Sequence, residues 1–321
     1  MSGNFTTIGV EGVAWGTKAA TLTRGIEAET TSKPSPNVEH TPSTGMRPGF
    51  SGEADDRHTT NTRGGTYDLM FDLLSKSHSM VLGGFATPVI TTPVGATNAR
   101  LHTITVANGT LPSQSIHDGV ELLSGTVDHV DVLGAKLREF KLAVSPRGNV
   151  KATASYDYRT LDTAASSVTP SYASSPYVFR DDDVTTTLGG TAICQRGIDL
   201  TIPSGLEPRK DRICAGGFEE SQSKATITPT GTLNHDLASF GHLDDWLAGT
   251  SRSLVFYIEG PEIEATFPYF LRITFAAVKF NGNAYERSLA ETTGQPIPWK
   301  ATQVSGSPIA LIEYQTTDTA I

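Results

Sequence analysis

The stretch FKLAVSPRGNVKATASYDY, residues 140–158, carries the plainest structural pattern in the chain. Phe140, Leu142 and Val144 alternate with polar residues up to Pro146-Arg147-Gly148-Asn149, and Val150, Ala152, Ala154, Tyr156 and Tyr158 alternate away from it. Side chains two apart share one face of a strand, so each run presents an apolar face and a polar one. The four residues between them have turn chemistry, and the whole predicts an antiparallel hairpin. Composition extends the β assignment to the rest of the molecule. The 321 residues include 31 Gly and 18 Pro, which suit short strands joined by turns and disrupt helix interiors.

Working toward the N-terminus, Thr66 to Phe71 alternates with Tyr67, Leu69 and Phe71 on one face, and Leu101 to Val106 reads as a further strand. Between them, DLLSKSHSMVL predicts a helix from Asp72 to about Leu82, opened by Asp72 as N-cap and closed by Gly83-Gly84. Arg24 to Thr30 alternates, with Ile26 and Ala28 inward and Glu27 and Glu29 outward. Residues 31–61 hold four prolines and no periodicity, and read as a long functional loop. Residues 1–23, small, Thr-rich and punctuated by glycine, read as an extended arm with an exposed Trp15.

Toward the C-terminus, Ser166 to Ser175 is the best linker and divides the chain into 1–165 and 166–321. Beyond it, Arg196-Gly197-Ile198-Asp199 echoes Arg24-Gly25-Ile26-Glu27. Ile198, Leu200 and Ile202 continue a strand. Strands are also expected at 225–228, 254–259, 271–280 and 309–314, with a helix at 236–248 ending on Gly249. The shared order of elements suggests an internal duplication.

Charge and motifs bound the function. The net charge of −9, without a basic run, argues against gripping nucleic acid but not against DNA passing nearby. Cys194 and Cys214 form neither a metal spacing nor a disulfide framework and are expected as reduced thiols. The N-terminus lacks the pattern of a signal peptide, and no apolar run approaches the ~20 residues of a membrane span. No phosphate loop, dinucleotide fingerprint, nucleophile elbow or HExxH helix appears, so no catalytic, metal or cofactor site is assigned. Asp181-Asp182-Asp183 could offer oxygens to a cation but lacks the glycine turn and distal glutamate of a calcium loop. His235 and His242 lie seven apart near the second helix, about two turns and not the i, i+4 spacing of a metal pair, and this cluster reads as a capped helix with a polar side. Ser, His and Asp are plentiful, but no local motif nominates a triad.

Several features together resemble the tail tube (major tail) proteins of long-tailed bacteriophages. They are the arm with its Gly16-Thr17, the following strand and long polar loop, the run GGTYDLMFDLLSKSHSMVLGG (residues 64–84) and the hairpin around Pro146. The resemblance implies a mainly β fold, a β-sandwich with short flanking helices, present once or as two tandem copies. It implies a structural virion protein, not an enzyme, whose subunits form rings with a continuous inner β-barrel. Rings would stack through the arm and loop into the channel for DNA ejection. The ring would hold six chains, or three if the fold is duplicated. The implied partners are further copies and the terminator, tape measure and distal tail proteins, without membrane or cofactor. The implied locations are the virion tail and, during assembly, the host cytoplasm. On this reading the strand faces opposite the core line the channel, which nominates Glu27, Glu29, Asp68, Lys136, Arg138, Lys151 and Asp157. A β-sandwich binding or virion decoration module is the alternative.

Overall fold

Phe140, Leu142 and Val144 are buried, as are Ala152, Ala154 and Tyr156, so the hairpin forms in the expected register, with Phe140 opposite Ala154 and Leu142 opposite Ala152. Its turn is closed by the Gly148 N–H donating to the Ser145 carbonyl at 3.1 Å. The computed structural model describes residues 6–29, 31–42, 58–86, 88–208, 220–223, 225–236, 241–264, 266–282 and 294–319.

Among the described residues the first half holds ten strands: β1 Thr6–Gly12, β2 Gly25–Ile26, β3 Lys33–Pro42, β4 His58–Asp72, β5 Ile90–Pro93, β6 Arg100–Val106, β7 Gln114–Glu121, β8 Val127–Val144, β9 Lys151–Tyr158 and β10 Thr160–Asp162. The second half adds β11 Val184–Leu188, β12 Thr191–Ile193, β13 Gly197–Pro203, β14 Leu206–Glu207, β15 Gln222–Ser223, β16 Thr230–Asp236, β17 Arg252–Glu264, β18 Phe267–Phe280, β19 Gly294–Ala301 and β20 Ala310–Thr316. Helices α1 Ser79–Gly83 and α2 Gly241–Ala248 are short. The protein is mainly β, and every strand pairing is antiparallel.

Eighteen strands join one sheet, and β14–β15 form a separate pair. One arm of the sheet runs β3-β4-β9-β8-β13-β16-β19. A second runs β12-β11-β17-β18-β20-β6-β5. The end of β18 pairs with β19 and its middle with β20, so the sheet turns over on itself there. The inward faces of both arms share one apolar cluster, in which the Trp299 ring lies 5.1 Å from Phe275 and 6.2 Å from Phe256. Gly231 makes room for that indole, since a Cβ there would sit 2.8 Å from its ring. A branch, β2-β1-β7-β8-β10, extends from the lower half of β8. Two ladders cross from the first half of the chain to the second, β8 to β13 and β6 to β20.

Several expectations need correction. Part of the expected arm is a strand: β1 lies between β2 and β7 with Ile8 and Val10 buried, and Ala19 and Leu22 are buried beyond it. Trp15 is half-buried, with the Arg159 guanidinium stacked 4.6 Å from its ring center. Part of the expected loop is also a strand, because β3 pairs with β4 from Lys33–Asp68 to Pro42–His58. Residues 1–5 and 43–57 of those two segments lie outside the described residues.

The helix expected from Asp72 is only α1. Asp72 ends β4, Leu74 bridges to Val178, and Ser77 has a φ of 73°, so the chain cannot be helical before His78. The second helix begins at Gly241 instead of Asp236, which belongs to β16, and ends at Gly249 with a φ of +65°. The strand expected at 225–228 lies instead at Thr230–Asp236. The strand expected at 24–30 shortens to β2 and a single bridge, Ala28 to Phe71. No helix among the described residues is long and apolar enough to cross a membrane.

Candidate functional site: the polar sheet face and the free ribbon

Directly opposed residues in a sheet share a face, so the register fixes which side chains lie together. The row Phe71, Ala152, Leu142, Leu200, Gly231 and Trp299 points into the core. The rows on either side point away from it. One consists of Asp72, Lys151, Ala143, Asp199, Thr232 and Pro298. The other consists of Met70, Thr153, Lys141, Thr201, Thr230, Lys300 and Lys279. Two residues further along, Lys33, Asp68, Ser155, Glu139 and Pro203 make a third row. The arm therefore presents a broad polar face spanning seven strands.

Three charges on this face have side-chain partners close by. Lys151 is hydrogen-bonded to Glu29, which raises the pKa of its ammonium. Lys141 lies 3.0 Å from Glu139. Asp72 accepts a hydrogen bond from the Asn149 amide at 2.8 Å. Of the residues nominated from sequence, Asp68 and Lys151 stand on this face, Asp157 follows the same alternation but is buried, and the Glu29 carboxylate reaches the face through Lys151. Lys136 stands opposite Asp157 but is buried, its ammonium 2.6 Å from Glu220 Oε1 and 2.8 Å from the Ser221 carbonyl oxygen. Arg138 lies at a register shift between Leu137 and Glu139, half-exposed, 3.9 Å from the Glu139 carboxylate. Glu27 is exposed beside β2, close enough to Tyr172 for its charge to oppose ionisation of the phenol.

The edge of the face is a two-stranded ribbon. β9 leaves β4 at Gly65, opposite Tyr158, and beyond that point β3 and the start of β4 pair only with each other among the described residues. Residues 35–41 of this ribbon are exposed throughout, including Val38. A ribbon of two strands without a third has little stability of its own in water. No third strand among the described residues pairs with its outer side, and a strand edge of that kind is the usual template for strand addition from another chain.

Other polar clusters are internal fastenings. Asp131 binds His117 Nδ1 and Lys18 Nζ, each at 2.5 Å, and the imidazole of His117 stacks on His129. Burial alone would raise the Asp131 pKa, but the hydrogen bonds from His117 and Lys18 outweigh it and the net shift is downward. No spacing in the sequence pointed to this cluster, because β7, β8 and the segment after β1 bring it together. Asp181 accepts from the Arg147 N–H at 2.7 Å and Asp183 from the Arg180 N–H at 2.8 Å, so two of the three adjacent carboxylates serve the local turn. His235 and His242 do meet, ring centers 5.0 Å apart, because His235 is on β16 rather than on the helix. Their contact is edge-to-face, and His242 packs in the same way on Phe280. A cavity of about 490 Å³ is lined by a single ionisable side chain, Lys300. Cys194 is exposed, and Cys214 lies outside the described residues.

Among the described residues, the features that stand out are a broad polar sheet face and a strand edge with no third strand on it. Compared with known families, the chain matches the model described as phage tail tube protein over residues 4–301. No curated protein matches it.

Proposed function

Because this chain belongs to the phage tail tube protein family and is therefore a structural component of a phage tail, we propose that it polymerises into stacked rings whose lumen conducts viral DNA. The observation that carries the reading is the open edge at β3, backed by a broad polar face. Subunits arranged in a ring close such edges on one another, which removes the aggregation hazard and yields a barrel. A heterologous contact that closes in the plane and repeats along the axis yields a tube.

On this proposal the face bearing Asp68 and Lys151, with Glu29 paired to Lys151, lines the passage, and Glu27, Arg138, the buried Asp157 and the Lys136–Glu220 pair border it. A wall that intersperses its cations with carboxylates offers phosphates no deep wells, so DNA slides past without being held. The β3–β4 ribbon stacks one ring on the next. Partners are other copies and the proteins that terminate, measure and tip the tail. A chain that contributes one channel-lining sheet makes a ring of six. If 1–165 and 166–321 each contribute one, the ring holds three.

Electron microscopy of the purified protein tests the reading, with particle mass deciding between three and six. Stacked rings with a central lumen are expected. A monomer or a small closed oligomer would overturn the reading and favor a binding or decoration module.

A further inference from the structure

Four of the large apolar side chains exposed on the described surface gather on one hairpin tip: Val120, Leu122, Leu123 and Val127, with Leu123 wholly in solvent. The tip is well ordered by its own bonds. Leu122 N–H donates to the Thr126 carbonyl at 2.8 Å, Gly125 N–H donates to the Leu122 carbonyl at 2.9 Å, and the Ser124 and Thr126 hydroxyls lie 2.7 Å apart. Gly125 turns the chain with a φ of +78°. A turn would ordinarily place polar residues here, and an apolar knob held this firmly costs solubility unless something covers it.

At the other end of β7 lies a cavity of about 250 Å³, lined by Met80, Ala86, Pro88, Val89 and Pro112 together with Gln114. A dry cavity of about 150 Å³ already holds a benzene ring, so leucine side chains fit this one. Gln114 is buried, its amide donates to the Met80 carbonyl at 2.6 Å, and its Oε1 has no hydrogen-bond partner. A turn N–H arriving with the leucines would satisfy that oxygen. The larger cavity around Lys300 is a poorer match, being lined by Asn108, Thr226, Thr228 and Gln303.

Knob and socket lie at opposite ends of the eight-residue strand β7, roughly 27 Å apart at about 3.4 Å per residue. A knob cannot reach the socket of its own chain. Two copies displaced along β7 by that length bring one copy's knob to the other's socket, and the contact leaves a free knob and a free socket for the next. We infer that the Leu122–Leu123 tip of each subunit seats in the Met80–Val89–Pro112 socket of a second copy, a heterologous contact that joins successive subunits. This rests on the proposed tube function and names one of its interfaces.

The test uses the full-length chain. Leu122→Asp with Leu123→Asp should leave folding unchanged, read by circular dichroism and thermal melting. It should raise the protein concentration for half-maximal assembly at least about tenfold. Separately, Leu123→Cys with Val89→Cys, in a Cys194→Ser, Cys214→Ser background, should give a ladder of disulfide-linked oligomers after mild oxidation of assembled protein. The single Leu123→Cys or Val89→Cys variants should give no ladder. Normal tubes from the double aspartate variant, or assembled double-cysteine protein without a ladder, would overturn the contact while leaving the tube standing. Wild-type protein that forms neither rings nor tubes would overturn the tube and this contact together.

Discussion

His78 is fully buried, its ring 4.3 Å from that of Phe71, and its Nδ1 accepts a hydrogen bond from the Leu74 N–H at 3.0 Å. Burial opposes the cation strongly enough to push the pKa from 6.5 down to about 3. The native state thus keeps the ring neutral, while the unfolded chain takes up a proton below about pH 6.5. Stability from this group is complete above pH 6.5 and is lost progressively as pH falls toward 3, with a slope approaching about 1.4 kcal/mol per pH unit. Burial shifts His102 and His242 in the same direction. His78→Asn keeps an acceptor and removes the titration, so its melting temperature should fall less than that of wild type between pH 7 and pH 5. Identical falls would show that His78 is not the sensor. At this scale the sequence was legible where alternation applied, placing Asp68 and Lys151 on the solvent side of their strands. It was illegible where distant segments meet, as at Lys136, whose ammonium is buried by Glu220 and Ser221 from 84 and 85 residues away.

Most strands with a clean period of two emerged near their expected places, Arg24 to Thr30 excepted, whereas elements set by context did not. DLLSKSHSMVL has helical spacing, yet Leu73 and Leu74 are held by main-chain bonds to Val150 and Phe179 and by the bridge to Val178, leaving one turn of helix. Asp318 reinforces this by accepting from the Ser77 N–H at 2.7 Å and the Ser79 hydroxyl at 3.2 Å, contacts some 240 residues long. Three of the prolines that made 31–61 read as a loop, Pro34, Pro36 and Pro42, belong to an edge strand. Pro34 and Pro36 are two apart, so their missing donors fall on the same side, and only an edge tolerates that. These residues also discourage indiscriminate pairing by the open edge. Replacing residues 39–61 with Asn-Gly would join the opposed Val38 and Thr62 through a two-residue turn. Because β9 does not pair beyond Gly65, the shortened chain should melt within about 4 °C of wild type. It should form single rings but not long tubes. Long tubes in micrographs of this variant would remove the ribbon from the stacking contact.

For the whole molecule, the question is how an acidic protein can surround DNA without either repelling or retaining it. The chain carries a net charge of −9, yet its polar face mixes Lys33, Lys141, Lys151, Lys279 and Lys300 with Glu29, Asp68, Asp72, Glu139 and Asp199. Unpairing those charges should convert a passage into a binding surface. Glu29→Lys with Asp68→Lys would leave Lys151 without its partner and set a new cation opposite Lys33. Each ring would repeat the change in every subunit. Binding through phosphates releases counterions, and log K falls with log salt by about 0.9 per phosphate neutralised. Wild-type tubes should therefore show no DNA binding at physiological salt. Tubes of the double variant should bind and lose that binding steeply as salt rises. Glu262→Lys with Asp182→Lys alters net charge equally while lying off this face, and should leave binding absent. If the off-face control binds as well as the face variant, overall charge and not the face governs the encounter. If wild-type tubes already bind in a salt-sensitive way, the wall is not a neutral passage.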